Sequence, residues 1–164
     1  MFIYRPIFSV MISLLSVQLW ASTSFDKDWS LTSDSDNVKV WQLNSNPDVT
    51  GSWQERSPSK KLDWSKVGSD AFFKALEADK VKMLSFVGIS EWKPEQYKWN
   101  KHPKGHELKI EGHYLDSQNK KIAFTEVYYF QELKTIQILQ TRPFSTSGKF
   151  TDDFFTFIKD QLPK

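Results

Sequence analysis

Residues 107–141, ELKIEGHYLDSQNKKIAFTEVYYFQELKTIQILQT, decide the fold. Leu108, Ile110 and Tyr114 alternate with Lys109, Glu111 and His113, and this period of two belongs to a half-buried strand. Asp116-Ser117-Gln118-Asn119 then supplies turn chemistry, and Lys121 to Phe130 is rich in aromatic and β-branched residues. Gln131 to Lys134 forms a second turn, and Thr135 to Thr141 a third strand before Arg142-Pro143 ends it. Successive strands joined by short turns pair antiparallel, so the stretch predicts a meander.

On its C-terminal side, Thr151 is placed to cap a helix. Asp152 and Asp153 fall in the first turn, Phe154, Phe155, Ile158 and Leu162 lie on one face, and Lys159 is near the end, so each charge suits the helix dipole. On the N-terminal side, Ser69 caps a second helix that Gly88 closes. Its stripe is Phe72, Phe73, Leu76, Lys80, Met83, Leu84 and Val87. Lys80 interrupts that stripe, so either its stem runs along the core edge or the helix breaks near Ala78-Asp79.

Farther out, Asp28 to Leu43 predicts a hairpin. Trp29 and Leu31 alternate with polar neighbours, Asp34-Ser35-Asp36-Asn37 turns, and Val38, Val40 and Gln42 alternate with Lys39, Trp41 and Leu43. Asn44 to Lys61 holds Asn46-Pro47-Asp48, Gly51-Ser52 and Ser57-Pro58-Ser59, and predicts a loop with room for one short strand at Ser52 to Arg56. The sum is an α+β fold: an antiparallel β-sheet with helices packed on it as a layered sandwich.

Residues 1–21 predict a signal peptide. Arg5 supplies the positive end, Ile7 to Trp20 the apolar run, and Ala21-Ser22-Thr23-Ser24 the small residues of a cleavage site. Residues 22–164 then form a single α+β domain. The 22 Lys+Arg against 20 Asp+Glu give a net charge of +2, which does not argue for nucleic acid. The absence of cysteine excludes a disulfide, a thiol nucleophile and an acylated lipobox, which leaves no stable membrane anchor after cleavage. A soluble bacterial periplasmic or secreted monomer is expected.

The entry of Gly105-His106-Glu107-Leu108 into a strand, the turn at Tyr114-Leu115-Asp116, the strands Val127-Tyr128-Tyr129 and Thr135-Ile136-Gln137-Ile138-Leu139, and the closing helix Phe154 to Leu162 share a layout. That layout resembles the PsbP-like superfamily, which includes the Ran-binding Mog proteins and bacterial periplasmic relatives of the DcrB lipoprotein. The resemblance implies a non-enzymatic binding or assembly role and transfers no site residue. Asp28-Trp29 followed by Val38-Lys39-Val40-Trp41 resembles the opening of lipid-binding START domains, which implies a hydrophobic ligand in a cavity between helix and sheet.

Chemistry-bearing residues are sparse. His102, His106 and His113 fall within twelve residues, but Pro103 and Gly105 oppose a helix there, and an odd spacing sends His106 and His113 to opposite faces of a strand, so no metal site is expected. Gly88-Ile89-Ser90-Glu91-Trp92 lacks the second glycine of a nucleophile elbow and follows a helix. The carboxylate pairs Glu107/Glu111 and Asp152/Asp153 suit ordinary surface roles. No enzymatic activity and no cofactor are therefore expected. The most distinctive surface runs from Glu91 to Lys109, where Trp92, Tyr97 and Trp99 interleave with Lys93, Lys98, Lys101, Lys104 and Lys109. Rings and cations can stack on sugars and hold acidic groups, so Trp92, Tyr97, Trp99, Lys98 and Lys101 form the candidate binding set. The expected partner is an unidentified protein, glycan or hydrophobic ligand. The same rings could instead dock this connection onto the sheet.

Overall fold

Two runs of alternating residues meet at the centre of the molecule and fix everything around them. In the computed structural model, which describes residues 28–57, 63, 65–102 and 105–161, the chain forms β1 (Trp29–Ser35), β2 (Val38–Leu43), β3 (Asn46–Arg56), α1 (Asp70–Phe86), β4 (Ser90–His102), β5 (Gly105–Leu115), β6 (Lys121–Phe130), β7 (Thr135–Pro143) and α2 (Lys149–Gln161). The strands make one antiparallel sheet in the order β1-β2-β3-β7-β6-β5-β4. The predicted meander is β5-β6-β7, and the α+β class holds. Residues 1–27, read above as containing a signal peptide, lie outside the described residues. Among the described residues no helix is long and apolar enough to cross a membrane.

The central pairing joins the two hairpin systems. Trp53 pairs with Ile138 and Ser52 with Leu139, so the last strand of the chain sits beside the third. Because successive residues of β7 point to opposite faces, Ile138 packs in one cluster with Trp29, Trp41, Phe154, Phe157 and Ile158, while Leu139 packs against another built from Leu108, Ile110, Phe124, Tyr128 and Phe130. The first cluster contains α2 and the second receives Phe72, Phe73 and Leu76 of α1. The two helices therefore cover opposite faces of the sheet, each over a different half.

Three elements differ from the sequence reading. β3 is an 11-residue strand where a loop with a short strand was expected. Asn46-Pro47-Asp48 occupies its first residues, where proline is tolerated, and Val49, Gly51 and Trp53 then alternate into the core. The segment from Glu91, expected as a connection, is the 13-residue strand β4. Among the described residues it is an edge strand paired on one side only, which permits its lysines, and Pro94 sits beside a register shift. α2 begins before Thr151, whose hydroxyl donates to Gln140 Oε1 at 2.7 Å and so fastens the helix to β7 instead of capping it. In β2 the inward side belongs to Trp41 and Leu43, with Val38 and Val40 on the other face.

The ends of α1 match the sequence signals. Ser69 Oγ accepts the Phe72 amide at 3.2 Å. Beyond Phe86 the amides of Gly88 and Ile89 donate to the carbonyls of Ser85 and Leu84, with Gly88 at φ +73°, a conformation that glycine adopts without a side-chain clash.

Candidate functional site

β4 carries the residues that its sequence singled out, and alternation, re-phased by the register shift between Pro94 and Gln96, divides them between two faces. Trp92, Tyr97 and Trp99 face α1. Trp92 stacks on Phe124 at 5.9 Å between centroids, and Trp99 meets Phe73 edge-on at 6.0 Å and the His106 ring at 5.3 Å. The Tyr97 hydroxyl donates to Glu77 of α1, and burial together with that carboxylate raises its pKa above the ordinary tyrosine value. Trp92 and Trp99 are half-buried, and Trp99 serves the helix–sheet contact through Phe72 and Phe73, while Tyr97 keeps 39% of its surface exposed.

The other face of β4 is not covered by α1. There Lys98 pairs in register with Lys109, and Gln96 with Glu111. Like charges directly opposite on neighbouring strands repel. Lys109 is compensated by Glu111 at 2.8 Å, whereas Lys98 and Lys101 form no ion pair among the described residues. Gln96, Tyr97, Lys98, Lys109 and Glu111 line an open hollow of about 310 Å³. Lys101 is exposed and follows Trp99 on the α1 side, in register with His106. The five candidate residues thus lie on one edge strand without converging on one surface.

The histidines separate as their spacing requires. His106 lies against Trp99 on the α1 side, and His113 lies on the opposite face with Nδ1 2.8 Å from Glu95 Oε1 and its ring edge-on to Phe144. Among the described residues no three His, Cys, Asp or Glu side chains gather where they could hold a metal ion. Glu107 accepts from Asn100 at 3.0 Å, and Glu111 is taken by Lys109.

The sequence matches no protein-family model and no curated protein. In structure the chain is similar to a Pseudomonas aeruginosa protein of unknown function described as a candidate regulator, with a TM-score of 0.54 and 10% identity over 80% of this chain and 87% of that one. The likeness is one of fold. A structure from Bacteroides thetaiotaomicron aligns with a TM-score of 0.44 and 10% identity over 74% of this chain and 38% of its own.

Sequence reasoning missed a buried polar group between α1 and the sheet. Lys80 Nζ donates to Glu126 Oε1 at 2.5 Å, and Gln137 Nε2 donates to the same oxygen. Glu126 is fully buried and Lys80 is 7% exposed, so α1 runs unbroken through Ala78-Asp79 and its lysine enters the core. The adjoining Tyr128 hydroxyl is held well above its ordinary pKa, first by burial and then by the Glu126 charge. Burial lowers the pKa of the nearby Arg56 guanidinium, and the Tyr128 and Glu126 charges oppose that shift. Two misfits signalled the group: a lysine on an apolar stripe and a glutamate inside an apolar strand. Their pairing across 46 residues was not readable locally.

Proposed function

We propose that the chain is an exported, soluble, non-catalytic periplasmic or secreted binding or accessory protein, built as a layered sandwich and acting as a monomer, whose contact surface is β4. One observation carries the reading. An exposed edge strand places an uncompensated lysine directly opposite another, which costs stability in isolation and gains when an acidic group arrives. Rings fill the contact between each helix and the sheet: Phe72 of α1 meets Trp99 and Phe130, and Phe154 of α2 sits so close to β3 that a Cβ on Gly51 would fall 2.2 Å from its ring. That packing favours binding at the surface over carriage of a lipid in a cavity between helix and sheet.

The test is site-specific photocrosslinking in cells that export the full chain. A crosslinker replacing Lys98 should yield a discrete adduct in the periplasmic fraction, and one replacing the exposed Thr156 of α2 should not. Equal labelling at both positions, or none at Lys98, would overturn the reading.

A further inference from the structure

We propose that β4 accepts an extended segment of a partner protein as an additional antiparallel strand, and that this segment alternates acidic with apolar residues. The inference rests on β4 being the contact surface and names what that surface recognises. Among the described residues β4 ends the sheet, and the outward backbone groups of this strand have no neighbouring strand there to pair with. The register shifts of β4 lie between Ser90 and Gln96, and from Gln96 to His102 every residue pairs in sequence with β5. That regular run is long enough to template a further strand.

Charge selects the occupant. The run holds Lys98 and Lys101 and no acid, with Lys109 beside Lys98 on the next strand. Lysines on an edge oppose pairing with a second copy, because they would meet the same lysines. An acidic strand meets them favourably. The faces select the alternation. On the side away from α1, an added strand would set every second side chain beside Gln96, Lys98 and Asn100. On the α1 side, the intervening side chains would meet the partly exposed Tyr97 ring and the half-buried Trp99, with Lys101 calling for one further acid at that end. The opposite edge, β1, has no lysine, and its Asp34 is engaged with Lys39 at 3.4 Å, so β4 is the basic edge of the sheet.

The probe is a synthetic acetylated peptide of alternating Glu and Val, added to the full processed chain. Affinity is read by fluorescence anisotropy, and amide exchange is read residue by residue. Binding should slow exchange across Gln96 to His102. The doubly substituted K98E/K101E chain should bind the peptide about tenfold more weakly or worse and should gain affinity for a Lys-Val peptide. A Glu-Val peptide N-methylated at every residue keeps every charge but has no backbone N–H to donate to β4 from either edge, and it should not bind. Unchanged exchange at Gln96 to His102 or equal binding by the N-methylated peptide would overturn strand addition, and equal binding by K98E/K101E would overturn the acidic character of the added strand. If the Lys98 crosslinker captures a partner while the peptide leaves these amides unprotected, the contact surface stands and strand addition falls. If both fail, both readings fall.

Discussion

Lys80 and Glu126 are each expensive to bury alone and tolerable only together. Their 2.5 Å contact is joined by Gln137, which donates to the same carboxylate oxygen, so removing one partner leaves a charge without its counter-ion in the core. Lys80→Ala is expected to destabilise the protein by about 3–5 kcal/mol, measured by urea unfolding. The double variant Lys80→Met with Glu126→Leu should recover most of that loss or exceed wild type; additive losses would show that the pair is not coupled. Gly51 carries a different constraint, since a Cβ there would lie 2.2 Å from the Phe154 ring. Gly51→Ala should therefore cost about 1–3 kcal/mol through overpacking, visible as a lower denaturation midpoint with an unchanged slope. In sequence Gly51 reads as turn punctuation, and only the ring above it reveals a packing role.

Elements with local signals were legible, and those that depend on neighbours were not. Ser69 and Gly88 mark both ends of α1, because capping requires only a hydroxyl before the first turn and a residue that tolerates positive φ after the last. Ser69→Ala should cost about 1 kcal/mol. Gly88→Ala should cost about 1–2 kcal/mol, because its φ of +73° strains any Cβ, here also 3.1 Å from Ser117. Helical circular dichroism during thermal melting checks both, and full tolerance of either change would contradict the assigned cap. The turns at 116–119 and 131–134 were equally local, with Asp116 accepting the amides of Gln118 and Lys120 at 2.8 Å. β4 was hidden for the opposite reason. An edge strand with bulges, a proline and an open lysine face has no clean alternation, and its pairing with β5 is what makes it a strand.

At the scale of the molecule, two buried clusters sit on opposite sides of one sheet, and tyrosines report on both. Tyr114, packed against the α1 cluster, is raised to about 12 by burial and then by Asp116; Tyr129, packed against the α2 cluster, is raised to about 12 by burial and then by Glu107. A tyrosine near 10 when unfolded and near 12 when folded retains its proton longer in the native state. Its contribution is complete below pH 10 and lost as pH rises towards 12. Stability should accordingly fall across about pH 10–12, with tyrosinate absorbance lagging that of the unfolded chain, and Tyr114→Phe should flatten the slope. The amino-acid sequence by itself determined both helices, the meander and its turns, and the opposite facing of His106 and His113, because each follows from periodicity and turn chemistry within a few residues. Only the tertiary structure decided that β7 lies beside β3, that the helices take opposite faces, that Lys80 meets Glu126, and that Lys98 stands against Lys109. Those are contacts between distant segments, and no local propensity encodes which strand becomes a neighbour.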